Sequence, residues 1–439
     1  MKLMKSMNSI KIVVAGLGTV GSSFMKIIEE NKNNIEERIN KKIIICGVSA
    51  KNKDKKRNFS IYKYKWFDDP IDMINQIKPD IFIELMGHEK GISYDSVKLS
   101  INNGINIITA NKALIAKNGN ELFSLAEKNN VGIFFEAAVA GEIPIIKTLK
   151  SLLVSNDIIK ISGILNGTTN YILSNMEMNN ISFEKSFNEA RNKGYVESNP
   201  ELDIEGIDSA HKLSILSSLA FRTKFVEFEK IYREGISNIT TVDINFATKL
   251  NYVIKLLSVV ELYNNQLIQY VKPMMIYQNS QLGQVSGVLN GIQITSKNSS
   301  KIFMEGSGAG GVATANSIVS DLAEICNNSN KSSLGINFNL LKNLQNLPIE
   351  DQKNSFYIRL IVDDIPGVLA EITSQLKDND ISIETMIQNP EGLKLDSNHL
   401  PLMFVTHETY RKNINNCIYM ISNMKSIKDK PVVIQIYKV

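Results

Sequence analysis

The sequence predicts an α/β protein of several domains: an N-terminal doubly wound parallel sheet, a mixed α+β middle region, and a C-terminal ferredoxin-like βαββαβ module. Three observations carry this reading. Apolar strand-like runs alternate with amphipathic helical runs up to about residue 140. A G-x-G-x-x-G, Gly16-Leu17-Gly18-Thr19-Val20-Gly21, lies between the first such strand and the first helix. From residue 355 onward the order strand–helix–strand occurs twice.

In chain order, Ile10 to Val14 is a β-branched strand, followed by the glycine turn and a helix. "KIIICGVS" (42–49), "PDIFIELM" (79–86), "INIITA" (105–110) and "VGIFFEAAVA" (131–140) read as further strands, with helices near 95–103 and 119–129. From Pro144 the pattern changes. Helical stretches (144–154, 181–193, 208–221) alternate with strand candidates "IIKISGIL", "TTVDINFATKL", "QLIQYVKPMMI" and "QVSGVLNGIQITS". "SGAGGVATANSIVSDLAEIC" (307–326) is a second glycine turn running into a helix. The expected division is a dinucleotide-binding domain at 8–140 with 305–326 packing back onto it, a catalytic and oligomerisation domain at 141–304, an Asn-rich linker at 327–354, and a small module at 355–439 able to fold alone.

The chain has 439 residues, more than one core accommodates, and its 43% hydrophobic and 21% charged content is that of a globular protein. No apolar run is long enough to span a bilayer, and residues 1–10 lack the core of a signal peptide. Cys46, Cys326 and Cys417 are odd in number and far apart, which points to a reducing, cytoplasmic setting without structural zinc. The net charge of +4 is dispersed, so neither nucleic acid nor membrane is an expected partner. His88, His211, His399 and His407 are too scattered for a metal site.

The glycine motif suits a dinucleotide. Its glycines permit a tight turn and close approach of a pyrophosphate, which the helix N-terminus then stabilises. The second strand ends without the acid that binds a ribose 2′-hydroxyl. Ser49, Lys51, Lys53, Lys55, Lys56 and Arg57 stand there with only Asp54, which favours NADP(H) over NAD(H), with a solvated basic loop as the competing reading. In "TANKALIA", Thr109 and Lys112 lie at the carboxyl end of a strand, where ligands bind in open α/β sheets, although a surface lysine is the plainer alternative.

The densest charge is in "GYVESNPELDIEGIDSAHKLSIL" (194–216), where Glu197, Glu201, Asp203, Glu205 and Asp208 precede Lys212. Asp208 and Lys212 are four apart and share a helix face. An aspartate there keeps the ammonium charged, ready to donate a proton to a carbonyl as hydride arrives. An exposed salt bridge of little worth is the competing explanation. Glu197 and Asp203 suit a cationic group on the substrate, the simplest being an α-ammonium.

On these residues the chain resembles homoserine dehydrogenases of the monofunctional type with a C-terminal ACT domain. The stretches concerned are "GLGTVG", "ITANKALIA", "FFEAAVAGEIPII", "GILNGTTNYIL", "GYVESNPELDIEGIDSAHKLSIL", "EGI" and "GSGAGGVATA", with "FYIRLIVDDIPGVLAEI" and "ISIETMIQ" in the last module. The resemblance implies reversible reduction of L-aspartate 4-semialdehyde to L-homoserine, on the route to threonine and methionine. It implies Lys212 as proton donor supported by Asp208, Lys112 as a second lysine near substrate and nicotinamide, and Glu197, Asp203 and Asp208 as substrate-binding acids. Cofactor contacts are implied at Gly16 to Gly21, Lys51, Gly87, Thr109, Lys112, Gly194 and Gly310. A sodium ion is implied on backbone oxygens of Glu136, Val139, Gly141 and Ile143. A homodimer or homotetramer is expected, with threonine as effector at the ACT loop Asp363 to Leu369. No kinase-like segment precedes residue 10, so the single-activity form is expected. His88, Glu142 and Asn251 depart from the family's usual residues. Two rivals stand beside this reading: a related dehydrogenase of another small aldehyde, and a catalytically silent amino-acid sensor.

Overall fold

The computed structural model describes residues 8–196, 199–327, 332–388 and 399–438. The chain divides into two compact units, the first from 1–161, 208–231 and 294–345, the second from 162–207, 232–293 and 346–439.

The first unit holds a six-stranded, all-parallel sheet: β1 (Ser9–Ala15), β2 (Lys42–Ser49), β3 (Trp66–Phe67), β4 (Ile81–Glu84), β5 (Asn106–Thr109) and β6 (Ile133–Phe134). Their order, β3-β2-β1-β4-β5-β6, is that of a dinucleotide-binding doubly wound fold. Four helices cross between strands: α1 (Thr19–Ile39), α2 (Pro70–Ile77), α3 (Ile92–Asn102) and α4 (Lys112–Lys128). Phe24, Met25 and Ile28 of α1 share a core with Ile318, Leu322 and Ile325 of the helix Gly311–Asn327. That helix begins so close to α1 that a Cβ on Gly311 would lie 2.3 Å from the Ser23 hydroxyl.

Two local expectations in this unit are corrected. "VGIFFEAAVA" is a strand only at Ile133–Phe134, because Glu136–Ala138 form a 3-10 turn. The Glu136 carboxylate accepts the amides of Ile146 (2.8 Å) and Lys147 (2.9 Å), which folds this stretch back. The helix expected at 144–154 is a short α turn, Ile145–Lys147, passing into a π turn over Thr148–Leu152. Helix α2 was not anticipated, although Asp69 as N-cap and Pro70 at the first helical position announce it.

The second unit is built on a long antiparallel hairpin, Tyr252–Tyr263 with Gln266–Tyr277. Asn264 (φ 46°) and Asn265 (φ 62°) form its two-residue loop, both in the left-handed region that such a turn needs. "TTVDINFATKL" is a helix, Thr241–Lys249, and not the expected strand. Its start is a capping box in which Asp243 accepts from the Thr240 amide (2.9 Å) and hydroxyl (2.8 Å). Helix Gly167–Asn179 follows Asn166, whose side chain caps Thr169 (2.8 Å).

The C-terminal module has the expected βαββαβ order: Phe356–Asp363, Val368–Asp378, Ile383–Gln388, His399–Thr406, Arg411–Ser422 and Val432–Tyr437. It is not a separate sheet, however. Val432–Tyr437 pairs in parallel with the hairpin strand, Met274 with Gln435 through Ile276 with Tyr437. One buried and one half-buried ion pair reinforce the seam. Asp243 accepts from Arg359 Nε (2.8 Å) and the Tyr357 hydroxyl (2.9 Å). Glu234 accepts from Arg411 (2.7 Å). Lys272 is buried over the rings of Tyr270 (4.7 Å) and Tyr232 (5.7 Å). Burial, and then the neighbouring Arg411 charge, bring its pKa down to about 7, against the weaker pull of Glu234 and Glu350.

Asp243→Ala strips counter-charge from Arg359 and uncaps a helix, so the unfolding free energy falls by about 3–5 kcal/mol in a denaturant titration. An unchanged midpoint would mean that the buried pair contributes nothing net. Lys272 binds its proton less tightly folded than unfolded, so this group makes stability rise from about pH 7 toward the ordinary lysine value. Lys272→Met therefore raises the melting temperature below pH 7, and the gain shrinks as pH approaches 10.5, the unfolded value. A gain that is constant with pH would contradict this.

Candidate active site

The first unit gathers its polar groups along the carboxyl edge of the parallel sheet. Gly16 (φ 98°) leaves β1 in a conformation only glycine adopts freely, its amide on the Ser49 carbonyl (2.9 Å). A Cβ there would lie 2.3 Å from the Leu85 oxygen, and one on Gly21 would lie 1.9 Å from the Gly16 oxygen. Gly18 faces open space, so the turn is closed toward the protein and open outward. Leu17 is buried, and Thr19, Val20 and Gly21 form the first turn of α1.

The next segment is organised by Glu84, a residue that sequence reasoning passed over. Fully buried at the end of β4, it accepts from the Thr109 hydroxyl (2.6 Å) and the Met86 amide (2.8 Å), and burial holds its pKa above the usual carboxylate value. An acid closing the apolar strand of "FIELM" was the available signal. Gly87 (φ 82°) and His88 follow, both exposed, and the His88 carbonyl accepts from Asn111 Nδ2 (2.7 Å). Asn111 also caps α4 through Leu114 (3.1 Å), which places Lys112 as the first residue of that helix.

Lys112 Nζ lies 3.0 Å from Oδ1 of Asp208, and Lys212 Nζ lies 2.7 Å from its Oδ2. One carboxylate thus holds two ammonium groups, one on each oxygen. Asp208 and Lys212 are 6% and 7% exposed, which rules out the exposed-salt-bridge reading. They occupy the helix Ile207–Phe221, anchored by buried Leu213, Ile215 and Leu216. With both lysines charged the trio carries a net +1 in a sheltered place.

Gly308 and Gly310 lie in the turn before helix Gly311–Asn327, and Gly310 (φ 116°) has nothing near its missing Cβ. Glu136, Val139, Gly141 and Ile143 are buried in the first unit. The carbonyls of Gly141 and Ile143 accept from the Ser317 hydroxyl (2.6 Å) and the Ile145 amide (2.8 Å), and each keeps a second lone pair. Ala140 (φ 57°) and Gly141 (φ 54°) make the turn sharp. Glu136 is pushed up to about 7 by burial and then by Asp321. Lys51 is exposed in the loop after β2. Glu197 lies outside the described residues. Asp203 and Gly194 belong to the second unit. There Asp203 is buried and accepts from Asn166 Nδ2 (2.7 Å), and Gly194 (φ 73°) ends the helix Phe183–Asn192.

A family profile described as homoserine dehydrogenase, NAD binding domain, matches residues 16–136, and one described as homoserine dehydrogenase matches 144–323. Homoserine dehydrogenase of Helicobacter pylori is 37% identical over 427 residues, covering 97% of this chain and 99% of that one. The chain belongs to the homoserine dehydrogenase family. The Neisseria gonorrhoeae member is 35% identical over 432 residues, covering 97% of this chain and 98% of that one. The crystal structure of a homoserine dehydrogenase from Thiobacillus denitrificans superposes with a TM-score of 0.90 at 34% identity, covering 98% of this chain and 99% of that one. As a homoserine dehydrogenase the protein is an oxidoreductase acting on a CH–OH group, with a nucleotide-binding domain of the NAD type. Of the departures from the family's usual residues, Asn251 is accounted for. It sits at φ 62°, a left-handed conformation that asparagine enters more readily than most non-glycine residues.

Asp208→Asn keeps the shape and removes the charge shared by the two lysines. The unfolding free energy should fall by about 3 kcal/mol, the low end for a broken buried pair because Lys112 still reaches water. A denaturant midpoint equal to that of the unaltered chain would show the carboxylate to be dispensable for stability.

Proposed function

We propose that the chain reversibly reduces L-aspartate 4-semialdehyde to L-homoserine with NADP(H) preferred over NAD(H). The observation that carries the reading is the single buried carboxylate of Asp208 between Lys112 and Lys212. The bound nicotinamide supplies or accepts the hydride. Lys212 donates the proton to the carbonyl oxygen in reduction and recovers it in oxidation, and Asp208 keeps that ammonium charged and aimed. Lys112 adds the second positive charge, so the excess of one stabilises the oxygen as it becomes an alkoxide. Glu197 and Asp203 take the substrate's ammonium group. Gly16 to Gly21, Gly87, Thr109, Gly194 and Gly310 border the cofactor, and the basic loop after Ser49 takes its 2′-phosphate.

Sodium fits the oxygens of Glu136, Val139, Gly141 and Ile143. They are uncharged hard donors, and at Gly141 and Ile143 a lone pair remains after the hydrogen bonds described. The ion would brace the Ala140–Gly141 turn, which packs against Ser307 and Gly308 ahead of helix Gly311–Asn327. The C-terminal module is read as an ACT domain with the loop Asp363 to Leu369 as its effector site, threonine as the effector, and the assembly as a homodimer or homotetramer.

The first test is L-homoserine oxidation followed by nicotinamide absorbance, with NADP and NAD in parallel. Lys212→Ala should lower turnover by about a hundredfold or more. Near-normal turnover in that variant would move the proton transfer to another group, Lys112 first. Absence of turnover by the unaltered chain with both cofactors would overturn the reading.

A further inference from the structure

We propose that Arg57 is the positioning residue of the 2′-phosphate site, acting through the loop it holds and not as a ligand of the anion. The inference rests on the NADP reading above. Arg57 is the only partly sheltered residue of 51–57. Its Nε donates to the Leu17 carbonyl (3.4 Å), Nη1 to those of Lys53 (3.0 Å) and Lys55 (2.9 Å), and Nη2 to that of Asn52. A guanidinium has five N–H groups, and four are thereby committed to carbonyls. Little remains for a phosphate. The group also sits over the Trp66 ring, 5.7 Å from its centroid, a ring whose own N–H is held by Asp68 (2.8 Å).

The consequence is a loop wound around one cation. Asn52 Oδ1 accepts the amides of Asp54 (2.9 Å) and Lys55 (3.2 Å), which closes the turn from within. Lys51, Lys53, Lys55 and Lys56 are exposed and carry their ammonium groups on this fixed backbone. The contact to Leu17 ties the whole loop to the glycine turn, so the basic residues keep one distance from the pyrophosphate-binding backbone. Four lysines on a slack loop would lose conformational entropy on gripping a phosphate. Lysines on a clamped one lose less, and that difference is affinity. The clamp is specific to the 2′-phosphate because the pyrophosphate is bound by the glycine turn itself.

The probes are 2′,5′-ADP and 5′-AMP, which differ only in the 2′-phosphate. Trp66 is the chain's single tryptophan and stacks on the clamp, so its fluorescence reports the loop directly. Calorimetry supplies affinities where Trp66 is replaced. The unaltered chain should bind 2′,5′-ADP about tenfold or more tighter than 5′-AMP. Arg57→Lys keeps the charge but loses the fork, and Trp66→Leu removes no charge at all. Both should erase most of that preference while 5′-AMP affinity stays constant, which also shows that the fold survives. If the unaltered chain shows no preference, the NADP reading falls and this inference with it. If it prefers 2′,5′-ADP and Arg57→Lys keeps the preference, the NADP reading stands and the clamp is overturned.

Discussion

The site depends on one buried carboxylate with two ammonium groups. Asp208 ties the start of α4, at the end of β5, to a helix that the chain reaches only much later. A charge taken out of water is tolerated only when it is paired, so each member of the trio constrains the other two. Lys212 is fixed by the packing of its helix, and Lys112 by the Asn111 cap. The carboxylate then sets the separation of the two cations. Upstream, Glu84 does the equivalent for the backbone, joining the end of β4 to Thr109 and so to the same cap. Short polar contacts therefore lead from the end of β4 through Thr109 and Asn111 to the start of α4, and from Lys112 through Asp208 to Lys212.

Much of this was legible in the sequence. Glycine spacing reports a backbone need, and the positive φ at Gly16 with the crowding at Gly16 and Gly21 is that need in physical form. The Asp208–Lys212 pair followed from helical period alone. The partner of Lys112 did not, because no local rule links it to a residue on a distant helix. The spacing around Lys112 fitted a surface lysine equally well. "TTVDINFATKL" misled because its β-branched residues outvoted a capping box that was plainly written in Thr240 and Asp243. "VGIFFEAAVA" misled because its apolar residues are buried by a turn, and burial does not distinguish a turn from a strand. Strand Tyr252–Tyr263, the first arm of the hairpin, was not foreseen, and the Asn264-Asn265 pair that closes it is the signal that could have found it.

The second unit shows polar burial used for attachment. Asp243 with Arg359 and Tyr357, and Glu234 with Arg411, join the middle of the chain to its last module by groups that are costly to separate. Hydrophobic area alone permits sliding, and directional pairs do not. Lys272 carries the opposite burden, an amine buried over two rings beside the Arg411 charge, and burial and that charge both weaken its hold on a proton.

The parallel pairing of Met274–Ile276 with Gln435–Tyr437 bears on how the protein is made. While a ribosome is still translating the last module, this edge of the hairpin strand lacks that partner and offers free amides and carbonyls to any passing strand. The sheet is completed only when the far strand arrives, a contact between segments well separated along the chain, which is the kind that forms slowly. Until then the seat of Val432–Tyr437 is an unpaired stretch of edge, open to pairing with a strand of another chain.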